Sequence, residues 1–180
     1  MFLPNLSPAW TGRPVAEQLA GRLGVPVALL NDARAFTLAE SRMGAAAGCS
    51  TVVCLTLGTG VGGGLVVDGR LRMGPNGRAG ELGHQVIAVD GPPCGCGNRG
   101  CLEAFVAGAA LGRLGGQASP AAVFAAAAAG DERAAAATVG RLAVGIANLV
   151  TVLWPERVVV GGGRRLSRAG HGWVWTTSIT

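Results

Sequence analysis

Between Gly80 and Phe105 the segment GELGHQVIAVDGPPCGCGNRGCLEAF holds a histidine, three cysteines and a glutamate near either end. His84, Cys94, Cys96 and Cys101 offer one nitrogen and three sulfur donors, the set that a closed tetrahedral zinc site uses. The Cys-x-Cys spacing is awkward for a disulfide and natural for one shared ion. Gly91, Gly95, Gly97 and Gly100 let the backbone curl between the ligands. With four protein ligands such an ion is structural, because no position is left for a reactive water. The alternative is three free or disulfide-prone thiols beside an ordinary loop histidine.

Two other stretches could do chemistry. In LTLGTGVGGGLVVDG, Gly58, Gly60 and Gly63 satisfy a G-x-G-x-x-G spacing. A dinucleotide fingerprint, however, must open a helix, and here β-rich sequence follows. A glycine turn between strands, with Thr59 at its tip, is suited to offering backbone N–H groups and a hydroxyl to a phosphate. A hairpin with only structural meaning has the same pattern. In VALLNDARA, Asn31 and Asp32 stand where an expected strand gives way to a helix, the place where open α/β sheets present reactive groups. Asp32 is equally well placed to cap that helix, and the two duties are compatible.

The elements that must position these residues follow from periodicity and punctuation. An amphipathic helix is expected over VAEQLAGRLG, closing at Gly24, then a buried strand over residues 27–30 and a helix over residues 33–48. Residues 50–58 read as a second buried strand, and residues 63–74 as a hairpin turning at Asp68-Gly69. A loop-rich stretch from Gly74 to Gly100 leads into one helix over residues 101–115, then a Gly/Ser/Pro break up to Pro120. Two alanine-rich helices precede a β-branched strand, RVVVGGG. Residues 164–180 show neither period and are expected to be a disordered or frameshifted tail. No internal repeat is present.

Composition bounds the rest. The chain has 180 residues, enough for one ordinary core. No apolar run approaches the roughly 20 residues of a membrane helix, and the proline-broken N-terminus lacks a basic leader. A soluble, cytoplasmic protein is expected. All 15 basic side chains are arginine, which excludes a phosphate-gripping P-loop lysine. The net charge of +5 is spread along the chain without a basic helix, so nucleic acid is not an expected partner. Five cysteines, an odd number, fit a reducing compartment and a metal better than a disulfide framework.

In their order and spacing, PNLSPAW, NDARAFTLAE, LTLGTGVGGGLVVDG, AGELGH, CGCGNRGCLE and PERVVVGGG resemble the ROK family of repressors, open reading frames and sugar kinases. Glucokinases and N-acetylmannosamine kinases of that family are similar in these stretches, and the resemblance runs from about Pro4 to Gly163. It implies an α/β fold of the actin-like ATPase (ribonuclease H-like) type, mainly the C-terminal lobe, with a zinc knuckle inserted. It implies transfer of the γ-phosphate of ATP, with Mg2+, to a hexose. Asp32 matches the family's catalytic base and is counted with Asn31, Glu81, His84 and Glu103 among its sugar contacts. Gly58, Thr59, Gly60 and Gly62 would meet the ATP phosphates, while Gly161 and Gly162 would lie near the adenosine. His84's counterpart holds zinc through one ring nitrogen and a sugar hydroxyl through the other, so zinc would fix the ring while the knuckle holds Glu103 opposite Glu81.

Residues 1–163 are expected to be a partial ROK domain, because nothing matches the family's N-terminal phosphate lobe. Three functions are carried forward: a hexose kinase, a sugar-sensing transcriptional regulator without its DNA-binding domain, and an inactive zinc-stabilised remnant. Self-association as a homodimer is left open.

Overall fold

The computed structural model describes residues 12–162 and 173–176. Five strands form one sheet in the order β3-β2-β1-β4-β5. These are β1 (Val52–Leu57), β2 (Val61–Val67), β3 (Arg70–Leu71), β4 (Arg157–Gly161) and β5 (Trp173–Thr176). The first three make an antiparallel meander, while β1 and β4 run parallel, Val53 facing Val158 and Leu55 facing Val160. Glu156 aligns the parallel pair by accepting from both the Ser50 and the Thr51 N–H at the start of β1, at 2.8 and 2.9 Å.

Both faces of β1 and β4 are covered, which is why they read as unbroken apolar runs. On one face Val53, Leu55, Val61, Val158 and Val160 pack with Leu102, Phe105 and Val106 of α3 (Leu102–Val106) and with Leu142, Ile146 and Leu149 of the helix Arg141–Leu153. On the other, Val52, Cys54, Val66 and Val159 meet Phe36 of α2 (Asp32–Met43) and the Ala45–Cys49 turn. Burial pushes the Cys54 thiol up to about 12, so it stays neutral in the core. The hairpin turns at Asp68-Gly69 as expected, both residues having positive φ (55° and 68°), as a type I′ turn requires.

The glycine triplet of β2 has a packing duty that its motif does not announce. A side chain at Gly62 would strike the Ala33 Cβ at 2.6 Å, and one at Gly64 would overlap the side chain of Thr37. Both neighbours are on α2, which therefore lies directly on the strand. Gly64→Ala is expected to cost about 1–3 kcal/mol by overpacking. Gly21→Ala, in α1 (Val15–Leu23), where nothing lies within 4 Å, is expected to be neutral or slightly stabilising. Urea denaturation of the two variants checks this, and equal midpoints would contradict the close approach.

Several expectations need correction, and the first is the helix expected over residues 33–48, which ends at Met43 with Gly44 as its C-cap. Residues 27–30 form no strand: no described strand pairs with them, and Leu29 remains about half exposed. An apolar run alone does not supply the ladder partner a strand needs. Residues 101–115 form two helices, α3 and α4 (Gly108–Leu114), because Ala107 leaves helical geometry (ψ 151°) and the Gly108 N–H donates instead to the Gly58 carbonyl at 2.9 Å. The tail is not wholly without regular structure, since Trp173–Thr176 pairs antiparallel with β4. The remaining tail residues, and PNLSPAW, lie outside the described residues.

The alanine-rich stretch folds as α5 (Pro120–Ala128), capped by Ser119, α6 (Glu132–Ala135), capped by Asp131, a π-helical turn and α7 (Arg141–Leu153). No described helix is long and apolar enough to cross a membrane.

Candidate functional site

Asn31 is the N-cap of α2: its side-chain oxygen accepts from the Ala33 and Arg34 N–H groups at 3.0 and 3.3 Å. The cap therefore belongs to Asn31, and Asp32 is the first helical residue, with Oδ1 accepting from the Ala33 N–H at 2.9 Å. Asp32 thus stands in the first turn of α2, at the helix N-terminus.

Close approach at Gly62 brings this helix end to β2, and the rest of the site gathers there. β1 ends at Leu57, and the turn Gly58-Thr59-Gly60 leads into β2. Gly162 lies so close to the Leu57 backbone that no side chain could be tolerated, which brings Gly161-Gly162 to the end of the same parallel strand pair. Crevices at the carboxyl ends of parallel strands are where α/β sheets bind ligands.

Glu103, in the first turn of α3, reaches the turn directly. Its Oε2 accepts from the Val61 N–H at 2.9 Å, and a Cβ at Gly60 would sit 2.7 Å from that oxygen. Its Oε1 lies 3.9 Å from His84 Nδ1 and 3.7 Å from Cys94 Sγ. One carboxylate thus joins the glycine turn to the cysteine segment.

That segment is folded by its own backbone bonds. The Cys94 N–H donates to the Asn98 carbonyl at 2.8 Å and the Gly100 N–H to the Pro92 carbonyl at 2.8 Å, while Gly97 and Gly100 take positive φ. A bridge between Val86 and Cys101 brings the last cysteine beside the Leu82–His84 turn. As a result the ligand atoms of His84, Cys94, Cys96 and Cys101 all lie within 4.8 Å of one another. His84 Nδ1 is 3.6 Å from Cys94 Sγ, and Cys96 Sγ is 3.7 Å from Cys101 Sγ. A tetrahedral ion with sulfur at about 2.3 Å and nitrogen at about 2.0 Å needs ligand–ligand edges of about 3.5–3.8 Å. The donor set is one that zinc uses, and these two pairs already have the spacing such an ion needs. Without an ion the thiols differ, since burial raises Cys101 to about 12 while the Asn98 backbone N–H lowers exposed Cys96.

One residue escaped the sequence reading. Arg34 is buried on α2, where its Nε and Nη2 donate to the Ala79 carbonyl at 3.0 and 2.7 Å and Nη2 also donates to Glu81 Oε1 at 2.8 Å. Its position three residues before Thr37, on the helix face that meets the sheet, was the available signal: a buried arginine needs a carboxylate partner.

The chain is similar to known proteins over most of its length. The ROK family profile matches residues 1–169. A glucokinase of Thermotoga maritima is 41% identical over 192 residues, covering 94% of this chain and 60% of its own. Among solved structures, a ROK family glucokinase from Streptomyces griseus in complex with glucose and AMPPNP superposes with a TM-score of 0.76 at 33% identity, over 90% of this chain and 59% of that one. A ROK family transcriptional regulator, a homologue of the E. coli MLC protein, superposes at 0.73 and 31% identity, over 82% and 42%. The chain spans about half the length of the curated relatives it matches. A profile match over nearly the whole sequence, relatives sharing two residues in five and the same fold in solved structures have one common explanation: this chain belongs to the ROK family.

Proposed function

We propose that this chain carries the sugar-binding and much of the nucleotide-binding part of an ATP-dependent hexose kinase acting on glucose or an N-acetylated hexose. The observation that supports it most is the gathering of Asp32, the Gly58–Gly60 turn and Glu103 around one end of the β1–β4 pair. A base, a phosphate cradle and sugar acceptors must share one cleft for in-line transfer.

In this reading Asn31, Glu81, His84 and Glu103 bind the sugar hydroxyls, and carboxylates suit them because each accepts from adjacent hydroxyls. Asp32 takes the proton of the attacking hydroxyl as its oxygen bonds to the γ-phosphorus and the bond to the ADP oxygen breaks. Backbone N–H groups of the turn, with Gly62 behind it, receive the phosphates, and the adenosine lies near Gly161 and Gly162. Magnesium, when bound, neutralises the triphosphate. His84, Cys94, Cys96 and Cys101 would hold a structural zinc, which fixes the imidazole and so its free nitrogen toward the sugar. The cytoplasm keeps such thiols reduced.

Purified chain, alone and completed with the remaining segments of the T. maritima glucokinase, is the material for the test. ATP-dependent phosphorylation of glucose or N-acetylglucosamine by the completed protein is expected, and its absence with every hexose tried would remove the reading. Glu103→Ala is expected to weaken hexose binding by about ten- to a hundred-fold, the loss of a hydrogen bond to a charged group. Calorimetry measures this, and unchanged affinity would take Glu103 out of the pocket. The likeness to the MLC homologue favours a second reading, a sugar sensor of a transcriptional regulator. Hexose binding without any phosphorylation by the completed protein would select it.

A further inference from the structure

We propose that Arg34 is a positioning residue for the sugar pocket, one that orients Glu81 by holding Oε1 and so turns Oε2 toward a ligand. The inference rests on the reading of Glu81 as a sugar contact. It begins with an imbalance of exposure: the Arg34 side chain is 6% exposed, whereas Glu81, its carboxylate partner, is 53% exposed. A guanidinium taken out of water must have its donors satisfied, and it does so at the segment that carries the pocket. Nε and Nη2 clasp the Ala79 carbonyl, and Nη2 reaches on to Glu81 Oε1.

The two contacts fix different things. Clasping Ala79 anchors the backbone two residues before Glu81, and at Gly80, where φ is +89°, a Cβ would lie 3.3 Å from the Gly64 Cα. The segment therefore presses on β2 above the helix that bears Asn31 and Asp32. Holding Oε1 then restricts rotation of the carboxylate, so that Oε2 is turned toward a ligand. An exposed glutamate without this partner would sample several rotamers and lose that freedom on binding sugar. Because Arg34 lies two residues after Asp32 in the first turn of α2, the same turn carries the base and the clamp that orients an acceptor for the sugar it attacks. A lysine could not clasp a carbonyl and a carboxylate with one planar fork.

The test is a double-mutant cycle on hexose affinity, using the full chain with glucose and with N-acetylglucosamine as probes. Arg34→Met is expected to raise the dissociation constant by about tenfold or more, and Arg34→Lys by less. In a Glu81→Gln background the further change at Arg34 is expected to add little, which loss of packing alone would not produce. Zinc content and circular dichroism serve as folding controls. If Arg34→Met does not fold, Arg34→Lys alone and on Glu81→Gln completes the cycle. Parent-like affinity in the folded Arg34 variants, or equal losses with and without Glu81→Gln, would overturn the positioning role while leaving the sugar site standing. A parent chain that binds neither hexose would overturn the sugar-site reading and this inference with it. The unfolding free energies of the same four proteins then show whether Arg34 and Glu81 couple at all.

Discussion

Asp32→Asn is expected to lower ATP-dependent hexose phosphorylation by about 10² to 10⁴-fold while leaving the fold and sugar affinity close to those of the parent. The structure makes this a clean substitution. Asn31 carries the cap of α2, so the helix does not depend on the Asp32 carboxylate. The one hydrogen bond seen at Asp32, from the Ala33 N–H to Oδ1, can be kept by an amide oxygen. What asparagine cannot do is accept a proton at neutral pH, and the expected loss is therefore in kcat rather than in binding. Steady-state assays of the completed protein, with and without the change, measure it. Equal turnover in the two would mean that the base lies elsewhere, and a failure of sugar binding in the variant would mean that Asp32 holds the substrate rather than activating it.

The second large effect is expected at the cysteine segment. Freshly purified under reducing conditions, the chain should carry about one zinc per molecule, and Cys96→Ser should carry almost none. Cys96 is the informative choice because it is exposed, whereas Cys101 is fully buried and its replacement would also disturb the core. The segment is held by a few backbone bonds and two isolated bridges, with little apolar packing of its own. Losing the ion should therefore cost several kcal/mol, below the roughly 10–16 kcal/mol available where a metal folds an entire peptide. Elemental analysis and thermal melts with and without chelator provide the measurement. A folded parent with no zinc would end the metal reading. An unaltered melt after complete metal removal would show that the loop stands without it.

How much of this was legible beforehand varied with the range of the interaction. The strands β1, β2 and β4 and the Asp68-Gly69 turn could be read because burial on both faces and a two-residue turn leave local patterns. Residues 27–30 carry the same apolar pattern yet form no strand, since pairing depends on a neighbour that pattern does not reveal. The reverse holds at Trp173–Thr176, where aromatic and β-branched residues signalled a strand but a polar setting concealed it. The meeting of His84, Cys94, Cys96 and Cys101 was foreseeable from short spacing. Links across 42 and 47 positions, Glu103 to the Val61 N–H and Arg34 to Glu81, were not. Nor did the glycine motif disclose that Gly62 and Gly64 serve the seating of a helix.

The parallel pairing of β1 with β4 also dictates an order of assembly. The β1–β2–β3 meander closes over loops of a few residues, whereas Val52 must wait for Arg157, more than a hundred positions later. Long loops close slowly, and chains emerge from the ribosome N-terminus first. The meander, with α2 seated on its glycines, can form while the helices α4 to α7 are still being made. Until β4 arrives, Val53 and Leu55 on one face and Val52 and Cys54 on the other belong to the edge of an unfinished sheet. The nascent chain is then most exposed to misassociation between the synthesis of residue 71 and that of residue 161, and an arrest or truncation in that interval should yield insoluble rather than partly active protein.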